Sequence, residues 1–337
     1  MKAVLLRDIA PIENKPLTLT NLPDPEPKQG QILIRVSVCG LCHTELDEIE
    51  GRLALGRVPI VLGHQAVGTV AGLGTGANKF RLGDRVGVTW LYSSCGTCKF
   101  CTCSRENLCP DAKWTGKDAH GGYAEYMVIG QNYAHPVPSE FSDVQAAPLL
   151  CAGVIGYRAL KLAGLRDGQV IGLFGFGASA HIVIQIIRHK FPRTEVFVFT
   201  RSEHHRQLAQ RLGASWTGSC DQHPPSMLDR AIDFTPAGES VKAALRKLAP
   251  GGRLVINTIR KETPIPQLDY TEDLWHEKEI KTVANVTRND AAEFLPIAAQ
   301  IPINSEVQEF PFTEANKALL MLKQGRLKAA GVLRITN

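Results

Sequence analysis

Residues 169–180 read QVIGLFGFGASA, a short apolar run followed by closely spaced glycines. The apolar run predicts a buried strand, and the next segment, ASAHIVIQIIRHKF, repeats its apolar residues at helical spacing. The turn between them fits G-x-G-x-x-A, in which glycines allow a tight bend and a close approach of the backbone to a pyrophosphate. Taken alone, the pattern also occurs in ordinary glycine turns. Its residues here are Gly175, Gly177, Ala178 and Ala180.

The segments that follow this turn alternate between helical stretches and short β runs. The β runs are EVFVFT, AIDFT, GRLVINT and IKTVANV. Strands that alternate with helices predict a parallel, doubly wound sheet. Because the glycine turn joins a strand to a helix within this array, we predict that it binds a dinucleotide at the helix N-terminus.

The end of the run EVFVFT bears on the choice of coenzyme. An acidic residue at this place holds the ribose 2′-OH of NAD, and the sequence instead has Thr200 followed by Arg201. With no carboxylate to repel a 2′-phosphate and a guanidinium beside it, the pattern favours NADP over NAD. The alternative is that Arg201 stacks on the adenine or faces solvent while NAD binds through backbone groups and Thr200.

The residues before this array have a different pattern of apolar residues. From Met1 to about Ala134 short apolar runs are broken by Gly and Pro, which predicts a β barrel or sandwich. From about Asn289 two helical stretches lead to a last β run, AGVLRIT. A chain of 337 residues exceeds the size of one core, so we expect two domains.

Four cysteines lie close together in residues 95–109. The spacing C-x-x-C-x-x-C followed by a further cysteine predicts a closed tetrahedral Zn²⁺ site with a structural role. Cys103 lies between the third and fourth candidates and is interpreted as a bystander. The alternatives are small buried apolar residues or a disulfide cluster. The predicted ligands are Cys95, Cys98, Cys101 and Cys109.

The amino-acid composition argues against several classes of protein. The chain has 44% hydrophobic and 21% charged residues and a formal net charge of +5. Its Lys and Arg residues are scattered, which argues against a nucleic-acid or membrane-surface protein. The N-terminus has no leader pattern, and we expect no membrane-spanning stretch and a cytoplasmic location. Nine cysteines in that compartment favour metal binding over disulfides.

Six segments carry a resemblance to a known family. In order they are CGLCHTE, GHQAVG, CGTCKFC, LLCAG, GFGASA and ANVTR. With them the chain resembles, over nearly its whole length, the zinc-dependent alcohol dehydrogenases of the medium-chain dehydrogenase/reductase family. The resemblance implies an α/β protein with a GroES-like β-barrel catalytic domain, residues 1–152 completed by 289–337, and a Rossmann coenzyme domain, residues 153–288. It also implies a homodimer or homotetramer.

The same resemblance implies a second, catalytic Zn²⁺ whose ligands are Cys42, His64 and Cys151, with the fourth position open. From the residues alone, each of these three is interpreted as an ordinary core residue, because they are far apart in sequence. Hydride would pass between a primary alcohol or aldehyde and the nicotinamide ring. The resemblance makes Thr44 the group that passes on the alcohol proton; the alternative is a helix N-cap or turn residue.

The sequence departs from the family pattern at three places around the catalytic ligands. Glu45 replaces Asp, Gln65 replaces Glu, and Asp47 replaces His at the outer end of the proton relay. Trp90, Leu91 and Trp114 are placed by the resemblance along a narrow apolar substrate channel, with packing between lobes as the alternative.

Three other functions remain open from sequence. They are an aldehyde reductase of the cinnamyl-alcohol type, a quinone-reductase-like or regulatory relative without turnover, and a thiol-redox protein that uses its C-x-x-C pairs.

Overall fold

The computed structural model describes residues 1–301, 303–327 and 330–336. The chain divides into two compact units, one made of Met1–Cys151 and Asn285–Asn337 and the other of Ala152–Ala284. The strands are β1 Lys2–Leu6, β2 Leu17–Asn21, β3 Gln31–Gly40, β4 Ile60–Val61, β5 Ala66–Leu73, β6 Arg85–Val88, β7 Leu91–Ser93, β8 Lys113–Trp114, β9 Tyr126–Gly130, β10 Ala134–Pro136, β11 Val170–Phe174, β12 Glu195–Phe199, β13 Trp216–Gly218, β14 Leu228–Asp233, β15 Leu248–Ile256, β16 Glu279–Thr282, β17 Val307–Pro311 and β18 Ala330–Arg334. The helices are α1 His43–Ile49, α2 Asp143–Ala146, α3 Ala152–Ala163, α4 Ala178–Lys190, α5 Glu203–Arg211, α6 Glu239–Lys247, α7 Arg288–Gln300 and α8 Ala315–Lys323.

The first unit is built on a sheet with the strand order β10-β6-β5-β3-β18-β17, in which β9 also pairs with β3. Strand β3 alternates polar with apolar residues, so that Ile32, Ile34 and Val36 enter the core. Strand β18, from the end of the chain, runs antiparallel to β3 with Val332 opposite Gly40. The C-terminal segment therefore completes the N-terminal unit. Smaller sheets are formed by β2-β1-β4 and by β7-β8.

The second unit contains a parallel sheet with the order β13-β12-β11-β14-β15-β16. The strand order reverses between β11 and β14, and this is the point at which doubly wound sheets bind their ligands. Runs of Val, Ile and Phe that are buried along β11 and β12 explain why these strands lack polar alternation. The predicted α/β fold, a GroES-like unit with a doubly wound parallel sheet, is confirmed.

One stretch of the chain has the length and composition of a membrane span but lies in the protein interior. The helical stretch Asp143–Ala163 is long and apolar enough to cross a membrane by length and composition. Within its most apolar window, 67% is buried inside the protein, and the stretch is divided into α2, a 3-10 turn and α3. Its apolar character is that of a core element, which sequence composition alone does not separate from a membrane span.

Strand β10 contributes a buried titratable group, His135. Burial, with Lys79 and Arg288 nearby, lowers the pKa of His135 from 6.5 to about 3, so the ring is neutral in the folded protein. Below pH 6.5 the unfolded chain binds a proton that the folded chain rejects, and stability falls as the pH decreases.

We predict that this histidine lowers the free energy of unfolding by about 2 kcal/mol when the pH decreases from 6.5 to 5. The variant His135→Leu should lack that part of the pH dependence, as measured by urea unfolding at both pH values. Exposed His223→Leu is the matched control. Parallel pH profiles for wild type and His135→Leu would contradict the prediction.

Candidate metal centres and coenzyme turn

Cys42, His64 and Cys151 converge in the first unit. Their ligand atoms all lie within 4.8 Å of one another. Cys42 caps the N-terminus of α1 directly after β3, and His64 stands in the turn between β4 and β5. The turn depends on Gly63, whose φ of +96° is left-handed and whose missing side chain leaves room for the Tyr123 ring. Cys151 follows a short 3-10 turn.

The spacing of the sulfurs fits a metal ion. Cys42 Sγ and Cys151 Sγ are 3.9 Å apart. Two thiolates at about 2.3 Å from a tetrahedral Zn²⁺ are about 3.8 Å apart, whereas a disulfide requires about 2.05 Å. Within the part of the chain that the structure describes, no fourth donor joins these three. A set of three protein ligands is typical of a catalytic zinc site.

The contact between the two sulfurs shifts their pKa values in opposite directions. The hydrogen bond from Cys151, with further contributions from His64 and Thr44, holds the pKa of Cys42 well below its ordinary value. The same contact raises the pKa of the Cys151 thiol. The lowered pKa of Cys42 favours its thiolate, which is the form in which a cysteine ligates a metal ion.

Glu45 links the first two ligands. Its side chain is fully buried, with Oε2 accepting a hydrogen bond from Cys42 N at 2.8 Å and Oε1 lying 2.5 Å from His64 Nδ1. Although burial opposes a charge on the ring, the Glu45 carboxylate raises the pKa of His64. A carboxylate at Nδ1 orients the ring so that Nε2 is left for the metal. The longer stem of Glu, compared with Asp, therefore still reaches the histidine.

Other sequence-predicted residues lie around this group. Thr44 Oγ1 is 3.5 Å from Cys42 Sγ. Asp47 Oδ1 accepts a hydrogen bond from Arg52 at 2.6 Å, so this carboxylate is held in an ion pair. Gln65 is buried, and its backbone carbonyl oxygen accepts a hydrogen bond from Gly40 N.

Two tryptophan rings form a chain of aromatic contacts that begins at His64. The ring centroids of His64 and Trp90 are 5.8 Å apart, and those of Trp90 and Trp114 are 5.2 Å apart. Trp90 Nε1 is buried and has no hydrogen-bond partner among the described residues. Leu91 is also buried, and it pairs with Trp114 across β7 and β8. The two indoles form an aromatic wall beside the metal ligand.

The four cysteines within residues 95–109, a segment called the knuckle from here on, form the second cluster. The Sγ atoms of Cys95, Cys98, Cys101 and Cys109 lie within 4.8 Å of one another. Cys101 Sγ is 3.9 Å from Cys95 Sγ and 3.6 Å from Cys98 Sγ, which again matches the edge of a ZnS₄ tetrahedron. Backbone N–H groups of Thr97 and Cys98 lower the pKa of Cys95 to about 6, which favours the thiolate. The thiol of Cys103 instead donates to Lys99 O and faces solvent.

A residue that sequence reasoning missed anchors this knuckle. Glu106 lies between the third and fourth cysteines and is buried. Its Oε1 accepts hydrogen bonds from Arg288 N at 2.9 Å and Arg288 Nε at 3.0 Å. Arg288 opens α7, so the contact ties the metal loop to the C-terminal segment of the same unit.

The predicted coenzyme turn lies in the second unit, at the carboxyl edge of β11. Gly175 follows the strand with a left-handed φ of +83°, Gly177 caps α4, and Ala180 is fully buried. At the end of β12, Thr200 is buried and its carbonyl accepts a hydrogen bond from Arg206 Nε at 3.0 Å. The side chain of Arg201 is exposed.

Comparisons with known proteins agree with this geometry. Residues 28–139 match the family model of the alcohol dehydrogenase GroES-like domain. The chain is 41% identical over 340 residues to a probable alcohol dehydrogenase, AdhA, of Mycobacterium tuberculosis, with 99% of this chain and 97% of that protein covered. It is 30% identical over 345 residues to an alcohol dehydrogenase of Geobacillus stearothermophilus, with 99% of each covered. A cinnamyl alcohol dehydrogenase structure from Sorghum bicolor superposes with a TM-score of 0.88 at 26% identity, covering 99% of this chain and 97% of that one.

Glu106→Ala should lower the free energy of unfolding by about 1–3 kcal/mol, because the Arg288 donors lose a buried, charged acceptor. Exposed Glu140→Ala is the matched control and should change stability by less than about 0.5 kcal/mol. Chemical denaturation of the three proteins measures the difference. Equal stability of Glu106→Ala and wild type would show that the contact does not anchor the loop.

Proposed function

The chain belongs to the zinc-dependent alcohol dehydrogenases of the medium-chain dehydrogenase/reductase family and is an NAD(P)-dependent oxidoreductase, and we propose that it interconverts a primary alcohol and its aldehyde beside Cys42, His64 and Cys151. The observation that carries this proposal is the convergence of two sulfurs and an imidazole from distant segments, with the sulfurs 3.9 Å apart. Their spacing fits Zn²⁺, and a set of three protein ligands leaves a place for substrate.

The donor set suits the proposed reaction. Two thiolates and a neutral imidazole balance the formal charge of Zn²⁺. When bound, the ion supplies Lewis acidity that eases loss of the alcohol proton and draws electrons from an aldehyde carbonyl. Glu45 fixes the His64 ring through Nδ1 and fixes the Cys42 backbone through its amide. The ligands are thereby held before substrate arrives.

Thr44 is the proposed carrier of the alcohol proton. Its hydroxyl lies at 3.5 Å from Cys42 Sγ, beside the donor set, and a hydroxyl can accept one proton while donating its own. Asp47 stands where relatives have the outer histidine of the relay, but its carboxylate is held in an ion pair with Arg52. The proposed path therefore leaves Thr44 without passing through Asp47.

The knuckle holds the second proposed Zn²⁺. Its four sulfurs close the coordination shell, so this ion stabilises the loop and takes no part in turnover. The proposal therefore predicts two Zn²⁺ per chain, one at each cluster.

The aromatic wall supports a planar, apolar substrate. The rings of Trp90 and Trp114 lie 5.2 Å apart with their planes tilted by 37°, and Trp90 lies beside His64, so that an aryl group could pack against them. The Sorghum bicolor protein is named for such an alcohol, so reduction of an aromatic aldehyde is the second candidate. Rates with straight-chain, branched and aromatic alcohols and aldehydes distinguish the two directions and the substrate class.

NADP is the proposed coenzyme. The position after β12 carries Thr200 and the exposed Arg201 instead of a carboxylate, and Arg206 lies on the next helix with its guanidinium at Thr200 O. A 2′-phosphate would meet cationic groups here without a neighbouring repulsive charge at Thr200.

The two metal clusters should respond differently to loss of one ligand. Cys42→Ser should retain a folded protein, bind about one Zn²⁺ instead of two and lose turnover, because only the open site is affected. Cys98→Ser should lower stability and yield, because the knuckle loses its closed shell. Zinc analysis, circular dichroism and activity measure the three properties.

Cys103→Ser is the matched control for both, since its sulfur lies outside the clusters. An unfolded Cys42→Ser together with a stable, active Cys98→Ser would require the two roles to be exchanged. Wild-type protein that binds no zinc would overturn the proposed function.

Arg201→Ala should lower kcat/KM for NADP by about tenfold and leave that for NAD nearly unchanged, because one charge-assisted contact to the 2′-phosphate is lost. Steady-state kinetics with both coenzymes measures this, with exposed Arg211→Ala as the control. An equal loss with both coenzymes would show that Arg201 does not distinguish the 2′ group.

A further inference from the structure

A buried carboxylate closes the strand beside the switch point of the second unit. Asp233, the last residue of β14, is fully buried and lies opposite Phe174 of β11. Its Oδ1 accepts hydrogen bonds from Thr235 N at 3.0 Å and Thr235 Oγ1 at 2.9 Å. Its Oδ2 accepts from Ser240 Oγ at 2.9 Å. The carboxylate therefore shapes the backbone that follows the strand.

Lys261 neutralises this carboxylate from another segment. It lies after β15, its side chain is only 13% exposed, and Nζ is 2.5 Å from Asp233 Oδ2. Nζ also donates to Thr235 O at 2.7 Å. One ammonium group thus holds both the carboxylate and the Thr235 carbonyl, and it joins the segments that follow β14 and β15.

Thr235 in turn contacts the glycine turn. A Cβ at Gly175 would lie 2.8 Å from Thr235 Cγ2 and 3.6 Å from Thr235 N, so the two backbones pack without space for a side chain. Any shift of Thr235 toward β11 would collide with the turn, and any shift away would leave it unsupported. Lys261 and Asp233 therefore determine where Gly175 sits.

We propose that Lys261 is a positioning residue for the coenzyme: through Asp233 and Thr235 it holds the Gly175 turn in the shape that receives the pyrophosphate. The inference rests on the proposed function, since it concerns the coenzyme of that reaction. A lysine without its ion pair would leave Asp233 as an uncompensated buried charge, and the segment that carries Thr235 would rearrange to hydrate it. Lys261 and Asp233 both belong to the second unit, whereas the metal ligands belong to the first.

The test compares Lys261→Met with wild type by isothermal titration calorimetry, using NADP and NAD as probes. Lys261→Met should weaken binding of the preferred coenzyme by about tenfold or more and raise its KM, because the turn loses its support. The KM for the alcohol and the zinc content should not change. Lys261→Arg, which restores the cation, should recover most of the affinity. The exposed Lys281→Met of the same unit is the matched control and should bind as wild type does.

A role in stability alone gives a different result. In that case Lys261→Met would lower the melting temperature yet bind coenzyme within about twofold of wild type at a temperature where it is folded, and this would overturn the inference. If Lys261→Met does not fold, the double variant Asp233→Asn with Lys261→Met removes both buried charges, and wild-type affinity in that protein would also overturn it. Wild-type protein that binds neither coenzyme would instead refute the proposed function.

Discussion

The register between two antiparallel strands brings together two of the three proposed catalytic ligands. Cys39 of β3 lies opposite Ala66 of β5, so the residues just after β3 and just before β5 meet at one end of the sheet. Cys42 and His64 occupy these two places, and Glu45 bridges them from the first turn of α1. A slip of one residue in this register would turn every side chain of β3 to the opposite face and separate the donors. Pairing of the strands thus sets the distance between two of the proposed metal ligands.

Patterns within short stretches of the sequence predicted the elements that are formed by residues close together in the chain. The knuckle cysteines are close in the chain, so their spacing alone indicated a common ion, and their sulfurs do meet. The strand–turn–helix around Gly175 was likewise readable from apolar runs and glycines. Cys42, His64 and Cys151 were different: each looked like a core residue, and only the family resemblance joined them. Their proximity results from strand pairing across long separations, which no short window contains.

Buried charges were the features that sequence reasoning did not find. Glu106 and Lys261 lie in polar, irregular segments that read as solvent-exposed, because charged residues are seldom buried without a partner. Their partners, Arg288 and Asp233, come from other segments of the chain. The apolar stretch 143–163 shows the same dependence on tertiary contacts, since its composition fits a membrane span, whereas 67% of its most apolar window is buried inside the protein. Burial is decided by tertiary contacts, and these charges became visible only in three dimensions.

The position of β18 has a consequence for the order of assembly on the ribosome. This strand flanks residues 38–40 of β3, yet it follows the whole second unit in the sequence. The second unit, which is continuous in sequence, is fully translated while the N-terminal sheet still lacks that neighbour. Until β18 has been synthesised, the backbone groups at this end of β3 stay available to other strands, including those of neighbouring nascent chains. Strand β18 thus protects this part of the sheet against misassembly, and a nascent chain that lacks it would expose an unpaired strand edge beside the proposed catalytic ligands.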